Sequence, residues 1–160
     1  MVQMTKPGHN HDHCIHKALG TAERLCRERG VRLTPLRRRV LELIWQDHRA
    51  VKAYDLLDRL KPLEQTAKPA TVYRALEFLI TQGLIHRVES LNAFIGCRCS
   101  ELSHEVLLLI CRLCGEVEEL PAPEVMDALT REIQRAGFFP EHKSVEIVGL
   151  CAHCARHPAD

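Results

Sequence analysis

Two short stretches, "CRLCGEV" and "GLCAHC", pair Cys111 with Cys114 and Cys151 with Cys154 at Cys-x-x-Cys spacing. Each such turn can aim two thiolates at one cation, and two turns supply the four sulfurs of a tetrahedral zinc shell. A shell filled by protein ligands leaves no open position for water or substrate, so the chemistry is structural and argues against a zinc hydrolase. Between Cys114 and Cys151 lie 36 residues, where a simple zinc ribbon has roughly 15 to 20. Metal would therefore pin the two ends of an α+β segment. A thioredoxin-like redox role for either pair lacks its usual companions, a βαβ pattern and a flanking catalytic aromatic.

Other metal-ligating side chains remain once these cysteines are assigned. His86 lies in "LIHRVE", Cys97 near the end of "AFIGCR", His104 just beyond, and Glu119 in "EVEEL". Singly, each has an ordinary place: His86 and Cys97 packed in a hairpin, His104 in a solvated linker, Glu119 exposed on a strand. Together they straddle a change in the chain's charge, and one metal bound by all four would fix the angle between the two parts. A thiolate in that set favours zinc over iron(II) or manganese. Cys99 beside Cys97 and Glu118 beside Glu119 offer the same donor types. In "GHNHDHCIH", His9, His11, His13, Cys14 and His16 crowd the N-terminus. Flexible ligands must be ordered before they chelate, and the composition predicts a flexible His-rich tail over residues 1–17.

The charge change is abrupt. Residues 1–98 hold 17 Lys and Arg against 10 Asp and Glu, a net +7, whereas residues 99–160 hold 5 against 11, a net −6. The first part is suited to an anionic partner, above all nucleic acid, and the second is not. A chain of 160 residues with 46% hydrophobic content can bury one modest core or two small ones. The N-terminus lacks the apolar core of a signal peptide, and the longest purely apolar stretch, Val106 to Cys111, is far too short to span a bilayer. The reading is cytoplasmic, without a membrane partner, and with reduced cysteines that serve as ligands rather than disulfides.

These residues need elements to position them. "RLTPLRRRVLELIW" predicts a helix with Thr34 as N-cap, Pro35 at the first helical position, and Leu36, Val40, Leu43 and Ile44 on one face. "AYDLLDRL" aligns Ala53, Leu56, Leu57 and Leu60, and "PATVYRALEFLITQG" aligns Val72, Leu76, Leu79 and Ile80 before a terminating Gly83. A weaker helix runs from about Ala18 to Arg29. "LIHRVE" and "AFIGCR", joined by "SLN", read as a hairpin. Three helices and a hairpin make a winged helix-turn-helix over residues 18–98. The third helix leaves Arg74 outward, where a recognition helix carries an arginine for guanine. Thr71 and Tyr73 share its first turns, Tyr54 opens the preceding helix, and Arg37, Arg38 and Arg39 are candidate phosphate contacts, Arg38 and Arg39 foremost. Beyond a hinge at 99–104, residues 105–160 read as a small α/β domain: strand "EVEEL", helix "PEVMDALTREIQRAG" with Met126, Leu129 and Ile133 inward, and strand "SVEIV".

The succession "RLTPLRRRVLELI", "AYDLL", "KPATVYRALEFLITQGLIHRVES", "CRLCG" and "GLCAHC" resembles the ferric uptake regulator family, within it the zinc uptake regulator branch, from about Arg24 to Cys154. The resemblance implies a homodimer with a winged-helix DNA-binding domain and an α/β dimerisation domain carrying a four-cysteine zinc site. It further implies a hinge site of His, Cys, His and Glu at His86, Cys97, His104 and Glu119, and base reading by Tyr54 and Arg74. With two four-ligand sites the chain would hold about two Zn2+. The expected function is a zinc-responsive repressor of zinc uptake genes on a palindromic double-stranded operator, not an enzyme. Iron, manganese and peroxide sensors of the same family usually carry a histidine-rich run before the first Cys-x-x-Cys, where this chain has "SHEVLLLIC" with only His104. A zinc-stapled protein adaptor is the other alternative, and it would need no recognition helix.

Overall fold

Capping and stripe chemistry build the first half of the chain from four helices. The computed structural model describes residues 11–47, 49–63, 67–98, 105–141 and 143–157. It divides into two compact units, Met1–Ser100 and Glu101–Asp160, so the hinge expected at 99–104 lies outside the described residues. Helix α1 (His11–Glu28) starts seven residues before the expected Ala18, so the expected flexible tail is helical from His11 onward. Ile15, Leu19, Ala22 and Cys26 continue one helical stripe into the core, and Asp12 in the first turn complements the positive end of the helix. In α2 (Pro35–Trp45) the Thr34 hydroxyl accepts from the Arg37 N–H at 3.4 Å, and Val40, Leu41, Leu43 and Ile44 are buried. Helix α3 (Ala53–Leu60) buries Leu56, Leu57 and Leu60, and α4 (Pro69–Thr81) buries Val72, Ala75, Leu76 and Leu79.

Helix α4 stops where its sequence says it must. Gly83 has φ of 65°, and the N–H groups of Gly83 and Leu84 donate back to Ile80 at 2.8 Å and Leu79 at 2.9 Å. This left-handed cap costs other L residues about 1 kcal/mol. The chain turns directly into an antiparallel hairpin, β1 (Ile85–Val88) with β2 (Ala93–Gly96), whose tip is a single 3-10 turn, Glu89–Leu91, followed by left-handed Asn92. Val51 and Phe94 exchange backbone hydrogen bonds of 2.8 Å, which attach the hairpin to the chain between α2 and α3. At the other end of β2, Trp45 lies flat over Gly96: a Cβ there would fall 2.3 Å from the indole Cε2. No side chain fits at this position without moving the ring. Helices α2 to α4 and the hairpin form the winged helix-turn-helix.

The second unit is a three-stranded sheet with helices attached. Its strands are β3 (Val106–Cys111), β4 (Val117–Pro121) and β5 (Val145–Gly149), in the order β4-β3-β5. Strand β3 pairs antiparallel with β4 and parallel with β5. Helix α5 (Pro123–Arg135) makes the crossover and α6 (Ala152–Arg156) closes the described chain. The central strand β3 is the run that the sequence shows only as an apolar stretch. Of the three residues expected to point inward from α5, Met126 is buried while Leu129 and Ile133 are half-exposed. Three short strands do not cover the whole stripe. Among the described residues no helix is long and apolar enough to cross a membrane.

Candidate metal centres and nucleic-acid interface

Strand pairing brings the two cysteine pairs together. Cys111 ends β3 opposite Gly149, the last residue of β5, and the Arg112 N–H donates to the Gly149 carbonyl at 2.9 Å. The chain leaving β5 therefore reaches Cys151 beside the first turn. Cys151 caps α6, its sulfur accepting from the Cys154 N–H at 3.4 Å, which folds the second pair inward. All four sulfurs lie within 4.8 Å of one another, with Cys114 and Cys151 at 3.9 Å. None of the four is in a disulfide.

The electrostatics of this cluster suit a divalent cation. Backbone N–H groups of Cys114 and then of Cys151 stabilise the Cys111 thiolate and lower its pKa to about 6. The thiol of Cys154 is pushed up to about 12, first by its hydrogen bond to Cys151 and then by burial. One sulfur gives up its proton readily because backbone N–H groups stabilise its thiolate, while another keeps it as the donor of a hydrogen bond in a buried place. A dication would replace the shared protons, and four sulfurs at these separations match the donor set of tetrahedral zinc.

A second pair of donors sits at the open end of the hairpin. His86 stands opposite Ile95, and the Cys97 N–H donates to Leu84 at 2.9 Å. Cys97 is two residues beyond Ile95, so it is the diagonal neighbour of His86 on the same face. A ring nitrogen of His86 and the Cys97 sulfur lie within 4.8 Å, and Cys97 is buried. In the other unit, strand alternation points Glu119 to the same side as buried Val117, with Glu118 facing the opposite way. Glu119 is 8% exposed and stands opposite buried Leu108 of β3. His104 and Cys99 lie outside the described residues.

The outward side of the first unit separates its arginines into different kinds. Arg74 is exposed on α4, and among the described residues its side chain has no hydrogen-bond or ion-pair partner. Tyr73 beside it is 53% exposed, and Tyr54, in the first turn of α3, is 71% exposed, while Thr71 is half-buried. Arg38 donates to Glu23 at 2.9 Å and Arg39 to Glu42 at 2.7 Å. A phosphate contact by either would replace a surface ion pair, at a cost of at most about 1 kcal/mol. Arg37 is turned inward over the ring of Phe78. Sequence reasoning grouped it with its basic neighbours, although it lies four residues before buried Leu41 and seven before buried Ile44, on their stripe.

Winged helix, exposed arginine on α4 and four-thiol α/β unit define a class, and residues 28–148 match the model of the Ferric uptake regulator family, to which this chain belongs. Within the family its likeness is specific. It is 44% identical over 146 residues to the zinc uptake regulation protein of Escherichia coli (strain K12), covering 88% of this chain and 85% of that one. A zinc uptake regulator complexed with zinc and DNA superposes with a TM-score of 0.85 at 42% identity, covering 89% of this chain and 96% of the other. Holo XcZur superposes with a TM-score of 0.80, also at 42% identity, covering 86% and 96%.

Proposed function

We propose that this protein is a zinc-responsive transcriptional regulator that binds a palindromic operator as a homodimer and represses zinc uptake genes in the cytoplasm. The observation that carries the reading is that one winged-helix unit presents both an outward Arg74 on α4 and the donor pair His86 and Cys97 at the base of its hairpin. DNA reading and metal sensing thus share a rigid body. Cys111, Cys114, Cys151 and Cys154 would hold a structural zinc, a closed shell that contributes folding energy to the second unit. His86, Cys97, His104 and Glu119 would hold the regulatory one. When bound there, zinc would supply a template for ligand geometry, displacing the Cys97 thiol proton on binding, and no substrate is transformed.

Sensing then follows from differential affinity. Shifting a protein from mostly unable to mostly able to bind an operator needs roughly 5 kcal/mol between the two states. Donors that all meet one cation in a single arrangement of the chain can provide that difference. Dimerisation has a surface to use: Ile147 and Val148 on edge strand β5 are 51% and 59% exposed, and Phe138 and Phe139 after α5 are 64% and 79% exposed. The experiment is metal analysis of the purified protein combined with zinc titration of operator binding. About two zinc ions per chain and zinc-dependent binding support the reading; operator binding unaffected by a chelator that strips one zinc would refute the sensing role.

A further inference from the structure

Two arginines of the basic first unit are engaged with the C-terminal half of α4. The guanidinium carbon of Arg37 lies 3.7 Å from the centroid of the Phe78 ring, and its Nη1 donates to the Arg32 carbonyl at 2.7 Å. From the end of α1, Arg29 Nη1 donates to the Gln82 carbonyl at 2.6 Å and to the Gln82 side-chain oxygen at 3.3 Å. Gln82 is the C-cap of α4, where carbonyl groups lack helical partners and the macrodipole is negative. Both guanidiniums also lie near Cys26, a thiol 2% exposed whose burial pushes its pKa up while Arg29 and then Arg37 draw it down.

We infer that Arg37 and Arg29 are positioning residues for α4 rather than contacts to the DNA backbone. This rests on reading α4 as the helix that reads sequence. Arg74, Phe78 and Gln82 follow one another at intervals of four residues, so they lie along one slowly turning stripe of the helix. Arg37 stacks one turn below Arg74 and Arg29 caps the turn after that. One grip comes from α2 and the other from the end of α1, so together they fix the rotation of α4 about its own axis. A helix with side chains is about 5–6 Å in radius, and a rotation of ~10° moves a side-chain tip by about 1 Å. Bidentate base recognition tolerates about 0.5 Å. The clamp thereby sets where the Arg74 guanidinium arrives, while its own guanidiniums are engaged by the Phe78 ring and by the carbonyl groups of Arg32 and Gln82.

The test compares Arg37→Met, Arg29→Met, Phe78→Leu and Arg74→Ala on operator and random duplexes at several salt concentrations, with zinc saturating. Positioning predicts that Arg37→Met weakens operator binding about 10-fold, leaves random DNA within about 2-fold, and keeps the slope of log affinity against log salt. Phe78→Leu keeps every charge and should reproduce the selective loss, and Arg29→Met should do so more weakly. Melting curves and zinc content separate these effects from unfolding, and Phe78→Leu stands alone should Arg37→Met fail to fold. Equal losses on both duplexes with a slope lower by about one would make Arg37 a phosphate contact and overturn the inference. So would operator binding by Phe78→Leu equal to wild type. If Arg74→Ala retains full operator preference, the reading of α4 itself falls; if only Arg74→Ala loses it, the clamp alone falls.

Discussion

The two units are stabilised by different means. The first buries a continuous cluster from Leu19 and Ala22 through Val40, Ile44, Leu56, Val72 and Leu76 to Phe94, and its helix ends are closed by Thr34 and Gly83. Apolar burial of this kind holds a fold by itself. The second offers a three-stranded sheet, one fully buried residue on α5, and exposed Ile147, Val148, Phe138 and Phe139. It also carries four clustered thiols, which under the proposed reading hold a stabilising zinc. On that reading the first unit needs no metal for its core, whereas the second would depend on zinc for its stability and hence for dimerisation.

Removing a knuckle should have the largest effect. Cys111→Ser or Cys151→Ser is expected to lose zinc, dimerisation and most thermal stability of the second unit, since structural zinc contributes about 10–16 kcal/mol in small zinc folds. Metal analysis, sedimentation and melting check this, and limited proteolysis should still show the first unit intact. A dimeric mutant with an unchanged melting temperature would erase the contrast between the units. Next comes the proposed regulatory set: His104→Ala or Cys97→Ser should remain a folded dimer with about one fewer zinc, and lose the roughly 5 kcal/mol by which zinc biases the chain toward operator binding. Full zinc-dependent repression by both mutants would move attention to Cys99.

Inside the first unit, Leu76→Ala, at a site 1% exposed, should cost about 2–5 kcal/mol and leave zinc content unchanged. If the four-cysteine zinc is lost too, the units do not stand independently. The smallest effect belongs to the outer face. Arg74→Ala should cost about 1–3 kcal/mol on the operator and relax preference at one base position. Arg38→Ala should instead weaken operator and random duplexes alike, lowering the salt slope by about one. Binding titrations on the two duplexes decide between these patterns.

What the sequence made legible was local. Thr34 with Pro35 announced a helix start, Gly83 a helix end, and each Cys-x-x-Cys a metal knuckle, because a few neighbouring residues determine these features. The choice between Glu119 and Glu118 stayed open in the sequence, and the observed alternation of burial along β4 separates them. Strand β3 was harder to assign, since a short apolar run fits either a buried strand or a helix segment. The start of α1 was misplaced because polar His13 and His16 mask the stripe through Ile15. Leu129 and Ile133 were expected inward because periodicity marks an apolar face without saying what covers it. Counting charge alone merged Arg37, held against an aromatic ring, with Arg38 and Arg39 at the surface.

Because Trp45 is the only tryptophan in the chain and lies on Gly96, one residue from Cys97, the molecule carries its own optical gauge of the hairpin base. Indole emission responds to nearby charge and to ring motion. It should therefore change as zinc is added to protein whose four-cysteine cluster is already loaded, and Cys97→Ser should abolish that change. No label is required, so occupancy can be followed in the same cuvette as DNA binding, and the order of the two events read directly.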